Sequence, residues 1–138
     1  MKISARNQLK GTVKEINEGV VNGIVVIDIG GQNVSATISM SSIKELGLEV
    51  GKTAYAIVKS TEMMIAEDRM KISARNQFPG KVVSVEEGAV NGIVKVEIAP
   101  GVVVSSTISM NAIKDLDVKE GRNVVAVAKA TSVMVGVE

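Results

Sequence analysis

The chain has 138 residues, a formal net charge of +1, and neither His nor Cys. Those absences exclude the common catalytic triads and dyads, zinc sites and iron–sulfur sites. A near-neutral balance without a Lys/Arg run argues against a nucleic-acid-binding tail, and no apolar stretch reaches the length of a membrane span. Hydrophobic residues make up 46%, yet there is one Tyr, one Phe and no Trp, so the core must be built from Val, Ile, Ala and Met. The first residues lack the apolar region of a signal peptide, and a cytoplasmic location is the default expectation.

The chain repeats itself. Met1-Lys2-Ile3-Ser4-Ala5-Arg6-Asn7-Gln8 returns unchanged as Met70-Lys71-Ile72-Ser73-Ala74-Arg75-Asn76-Gln77. Val21-Asn22-Gly23-Ile24 returns as Val90-Asn91-Gly92-Ile93, and Thr37-Ile38-Ser39-Met40 as Thr107-Ile108-Ser109-Met110. Two units are therefore expected, 1–69 and 70–138. A unit of roughly 60–70 residues buries only about 60% of its unfolded surface, so each should pack on its twin or on other chains. Met70 is either a former start residue kept after fusion or simply an apolar strand residue.

In chain order, Ile24 to Ile29 reads as a strand ending at Gly30-Gly31. Its counterpart, Ile93 to Ile98, carries Lys95 and Glu97, which must face water. Val94, Val96 and Ile98 then face inward, and by the repeat so do Val25, Ile27 and Ile29. Val34, Ala36 and Ile38 alternate with Ser35 and Thr37 as a second half-buried strand. Ser39 and Ser109 are placed to cap short helices over Met40–Leu46 and Met110–Leu116, with Ile43 and Leu46 (Ile113 and Leu116) plugging a barrel end. Thr53–Lys59 and Asn123–Lys129 are apolar on both faces, as in a closed barrel or at an interface. Glu67-Asp68-Arg69 is too short for a flexible linker. The expected fold is all-β: two tandem OB-like Greek-key barrels, each of about five strands with one short helix.

No Walker loop or dinucleotide fingerprint is present, and carboxylates rarely recur at matched positions; Glu15, for example, becomes Ser84. Asp28 and Glu97 do match, on a solvated strand face. An enzyme is not expected. What recurs is a set of anion-binding groups: Ser4 and Arg6 with Ser73 and Arg75, Lys59 with Lys129, Thr61 with Thr131. Hydroxyls, main-chain N–H groups and a cation suit a tetrahedral oxyanion, since each charge-assisted hydrogen bond is worth about 1.5–3 kcal/mol. The competing readings are an edge-protecting lysine and a Ser-Ala-Arg-Asn turn held by local hydrogen bonds.

Ile3-Ser4-Ala5-Arg6-Asn7, then Gly11-Thr12-Val13 and Gly19-Val20-Val21-Asn22, resemble the start of a Mop domain, the molybdate-binding members of the TOBE group also called molbindins. Val58-Lys59-Ser60-Thr61-Glu62-Met63 and Ala128-Lys129-Ala130-Thr131 resemble the closing motif. The likeness runs through the whole chain twice, as in tandem di-Mop molbindins. It implies an OB-like barrel per repeat, a homotrimer, and molybdate (with tungstate as analogue) bound as the free oxyanion rather than a metal cation. It further implies two ligand sets: Ser4, Ala5, Arg6 and Asn7 with Lys59, Ser60 and Thr61; and Ser73, Ala74, Arg75 and Asn76 with Lys129, Ala130 and Thr131. Each barrel would bring half a site. Ala130 lacks the hydroxyl of Ser60, so the two sets need not bind equally. A second type of oxyanion site near the trimer axis would fall at Gly19, Val20, Val21 and Gly88, Ala89, Val90, where Val20 and Ala89 leave only main-chain donors.

The expected function is therefore cytoplasmic molybdate storage or buffering, with no nucleic-acid or membrane partner. One alternative is an OB-type nucleic-acid module, which would need aromatic platforms and a basic groove; Tyr55 and Phe78 do not occupy equivalent positions. Others are a structural oligomerisation module or a molybdopterin binder.

Overall fold

The computed structural model describes residues 2–138. The first half runs β1 (Asn7–Asn17), β2 (Asn22–Asp28), β3 (Asn33–Ser39), α1 (Met40–Glu45), β4 (Thr53–Val58), a 3-10 turn at Ser60–Glu62, and β5 (Met64–Ala66). The second repeats it with β6 (Asn76–Glu86), β7 (Asn91–Ala99), β8 (Val102–Ser109), α2 (Met110–Asp115), β9 (Asn123–Ala128), a 3-10 turn at Ala130–Ser132, and β10 (Met134–Gly136). Within each half the first three strands form antiparallel hairpins and the fourth returns beside the first. That is the Greek-key order expected from the sequence.

The alternation drives the local structure. Val25, Ile27 and Ile29 are buried, as are Val94, Val96 and Ile98, while Asp28 and Glu97 stay exposed. The β1–β2 register shifts between Val13 and Glu15, and the β6–β7 register between Val82 and Ser84. Each bulge bends a long first strand so that one strand serves two neighbours of a curled sheet. Just before the bulge, Gly11 and Gly80 allow backbones to close in: an added Cβ would lie 2.3 Å from the Asp28 carbonyl oxygen and 2.4 Å from that of Glu97. Ser39 and Ser109 cap the helices, each hydroxyl accepting at 3.0 Å from the N–H of Ser42 or Ala112. Ile43 and Ile113 are buried beneath them. β9 is apolar on both faces because Ala66 and Ala74 cover Val125 and Val127 on its outer side.

The two sheets exchange their last strands. Their orders are β10-β4-β1-β2-β3 and β5-β9-β6-β7-β8. β5, from the first repeat, pairs Met64 with Val127 and Ala66 with Val125; β10, from the second, pairs Met134 with Ile57 and Gly136 with Tyr55. Each barrel thus takes four strands from one repeat and the fifth from the other. Local pattern could not reveal this, because Met64 and Met134 find nearly the same apolar edge in either barrel. The exchange merges the interior: residues of both repeats, Met63 and Val133 included, join one hydrophobic cluster. Met70 lies outside any strand and is exposed, so it is not an apolar strand residue.

Two buried asparagines clamp the barrels together. The Asn7 amide donates to the Ser105 carbonyl at 2.9 Å and accepts from the Ser105 N–H at 2.7 Å. Asn76 does the same to Ser35, at 2.9 and 2.8 Å. Each side chain imitates one rung of an antiparallel ladder on the opposite barrel's edge strand. The buried hydroxyl of Ser106 donates to the Met63 carbonyl, tying the crossing segment to β8.

Candidate functional site

The β1–β4 pairing builds the site. Asn7 sits opposite Val58 in an antiparallel register, so residues 4–6 and 59–61 leave the same end of the ladder side by side. Between them lies a cavity of 200 Å³ lined by Ser4, Ala5, Arg6, Lys59, Ser60 and Thr61. A water's share of the liquid is about 30 Å³, so a five-atom tetrahedral oxyanion fits. The 3-10 turn closes through the N–H groups of Glu62 and Met63, which donate to Lys59 and Ser60 carbonyls. That leaves the Ser60 and Thr61 amides outside the turn's own bonds. Arg6 and Lys59 are exposed, and the ion pairs among the described residues involve neither of them. Two cations without an ion-pair partner beside several hydroxyls are the groups an anion requires, and at close range a dianion gains most.

The second set is assembled identically. Asn76 opposite Ala128 brings Ser73, Ala74 and Arg75 beside Lys129, Ala130 and Thr131. Here Ala130 is buried and offers no hydroxyl. Thr131 opens instead into a 440 Å³ cavity that it shares with Thr37, Ser39 and Ser42 of the first repeat.

Two features differ from the sequence expectation. First, the Ser-Ala-Arg segment and its Lys-Ser-Thr partner come from the same repeat, joined by strand pairing, rather than half from each barrel. Second, Asn7 and Asn76 are only 2% exposed and their amides are engaged with the opposite barrel at both ends. They are clamps behind the site, and their side chains do not reach it. The Gly19-Val20-Val21 and Gly88-Ala89-Val90 segments, expected at a separate second-type site, form exposed turns away from this cavity. Val20 is 98% exposed, and the carbonyls of Val21 and Val90 are held by the N–H groups of Met40 and Met110. These turns present apolar side chains and no polar one.

The structure also adds groups that the sequence reading missed. Thr107, on β8 of the second repeat, lies with its hydroxyl 2.8 Å from that of Ser60. Glu62 and Ser132, at matching positions of the two 3-10 turns, meet at 3.2 Å. The duplicated Thr-Ile-Ser-Met is the available signal, but its pattern marks only a strand end and a helix cap. The opposite barrel's contribution depends on which strand ends the chain's crossings bring together.

Paired Greek-key barrels, each presenting Ser-Ala-Arg against Lys-x-Thr, define a class of small anion-binding β-barrel modules. The chain belongs to the TOBE-domain family: the TOBE domain matches residues 3–65 and again 72–135. It is 37% identical to the molybdenum transport protein ModE of Herbaspirillum seropedicae, over 100% of this chain and 52% of that protein. The chain thus spans about half the length of that relative. A probable molybdenum-pterin-binding protein of Haemophilus influenzae is 65% identical over 66 residues, covering 47% of this chain and 96% of its own length. A crystal structure of the cytoplasmic molybdate-binding protein ModG with molybdate bound superposes with a TM-score of 0.96 at 38% identity, covering 100% of both chains.

Proposed function

We propose that this protein binds molybdate as the free tetrahedral dianion, without catalysing a reaction on it. The observation that carries this is the cavity joining Ser4, Ala5, Arg6, Lys59, Ser60 and Thr61, with its unpaired cations and clustered hydroxyls. Ser73, Ala74, Arg75, Lys129, Ala130 and Thr131 form the second set. In this reading Lys59 and Lys129 supply charge, the serine hydroxyls donate, and Arg6 and Arg75 add charge at the rim. Tungstate, of the same shape and charge, is bound too.

The role is storage or buffering in the cytoplasm, in a homotrimer. Exposed apolar residues at matching places in both repeats, such as Ile3 with Ile72 and Val21 with Val90, favour burial against further copies. A pterin or a nucleobase would need an accessible flat wall. Phe78 is buried in the core, and the half-buried Tyr55 has Val125 at its matching position in the second repeat, so the repeats present no matched aromatic platform.

Equilibrium dialysis of the Lys59→Ala/Lys129→Ala variant tests the assignment. Losing one charge-assisted contact per site is expected to weaken molybdate binding at least about tenfold. A folded double variant with full molybdate uptake refutes the sites. Uptake of pterin or single-stranded DNA in place of molybdate by the unaltered protein refutes the function.

A further inference from the structure

We propose that Thr107 is a positioning residue for the oxyanion site of the first repeat, acting across the barrel interface through Ser60. The inference rests on the oxyanion-binding reading above and deepens it. The Ser60 and Thr107 hydroxyls are 2.8 Å apart. Ser60 lines the cavity whereas Thr107 is not among its lining residues. A pair of hydroxyls shares one of its two protons, and the direction of sharing decides what faces the cavity. If Ser60 donates to Thr107, only lone pairs of Ser60 face the anion. If Thr107 donates to Ser60, the Ser60 proton is free to point at an anion oxygen. A bound dianion selects the second arrangement, giving a relay from Thr107 to Ser60 to the oxyanion. Donors in such a chain polarise one another, and the terminal bond strengthens.

The second repeat lacks this relay. Thr37 stands where Thr107 does, but the residue matching Ser60 is Ala130. The strand that carries Thr37 packs beside the 130–132 turn as β8 packs beside the 60–62 turn. Thr37 therefore has no partner hydroxyl at Ala130 where Thr107 has that of Ser60, and the two sites of one chain are unequal for a stated reason. The difference also reaches specificity. A relay fixed on both barrels holds its donor at a set position, favouring the oxyanion whose oxygens reach it over a smaller one of equal charge.

Calorimetric titration with molybdate and with sulfate tests this in the Lys129→Ala background, which isolates the first site. Thr107→Val is expected to weaken molybdate binding about fivefold and to narrow the molybdate-to-sulfate ratio. Thr107→Ser is expected to restore both. With Ser60→Ala already present, Thr107→Val should have no further effect. In the Lys59→Ala background, Ala130→Ser should tighten the second site several-fold, and Thr37→Val should cancel that gain. The Ala130→Ser arm keeps the test decisive should Thr107→Val fail to fold. Thr107→Val acting equally with and without Ser60 overturns the relay. So does Ser60→Ala weakening binding while Thr107→Val leaves it unchanged. If Lys59→Ala and Ser60→Ala both leave first-site binding intact, the oxyanion reading itself fails, which is a distinguishable result.

Discussion

Replacing Asn7 by Ala should destabilise the whole protein without removing a ligand from the site. The substitution deletes two hydrogen bonds, at 2.9 and 2.7 Å, to the Ser105 main chain. Each bond contributes about 1 kcal/mol, and the Ser105 N–H and carbonyl left without partners in a partly buried interface add about another 1 kcal/mol. The expected loss is about 3 kcal/mol. Because both repeats share one hydrophobic cluster, unfolding should be a single transition. Unfolding entropy near Tm is about 2.1 cal/mol/K per residue, so a chain of 138 residues should lose about 10 °C in Tm. The measurement is scanning calorimetry without oxyanion, followed by molybdate titration well below the lowered Tm. Asn7→Asp should not rescue stability, since a carboxylate keeps the acceptor but loses the donor and faces the Ser105 carbonyl. A Tm within about 2 °C of the unaltered protein, combined with a tenfold loss of affinity, would refute the clamp and make Asn7 a ligand.

Three further outcomes follow from particular contacts. Truncation after Val133 removes β10, and hydrogen exchange should then accelerate in β4 (Thr53–Val58) of the first barrel rather than in β9; faster exchange in Asn123–Ala128 alone would contradict the strand exchange. Gly80→Ala places a Cβ 2.4 Å from the Glu97 carbonyl oxygen, and urea titration should show a loss of about 2–3 kcal/mol from the forced backbone shift. The third concerns Tyr55, whose hydroxyl donates to Glu138 at 2.6 Å. That bond holds the Glu138 carboxyl below its ordinary 4.5 and the Tyr55 hydroxyl above its ordinary 10.0. The Glu138 contribution is present above its unfolded pKa and lost as pH falls through the depressed value; that of Tyr55 is present below 10.0 and lost as pH rises through the raised one. Intrinsic-rate-corrected exchange at residues 134–136 should thus be slowest between pH 4.5 and 10.0, and Tyr55→Phe should flatten that dependence.

Much of the fold is set by the sequence alone. Period-two alternation in residues 24–29 and 93–98 determines which side chains are buried, because a one-residue slip would turn every core valine to water. Ser39 and Ser109 mark the helix starts because a capping hydroxyl acts on its own next turn. The Ser-Ala-Arg and Lys-x-Thr segments are legible as site candidates because they recur in both repeats, with Ser60 against Ala130 the one polar group lost. These are short-range properties, and chain order carries them.

Tertiary structure decided what depends on distant surfaces meeting. β5 and β10 could pair with either barrel on chemical grounds, and only the path of the chain through the 3-10 turns assigns them. Asn7 enters the ligand set through the Mop resemblance, yet its strand turns alternate side chains to opposite faces, sending the amide into the other barrel. Thr107 lies 47 residues from Ser60, and no local pattern links them. Their hydroxyls meet because the exchange of strands lays the first repeat's 3-10 turn against the second repeat's β8.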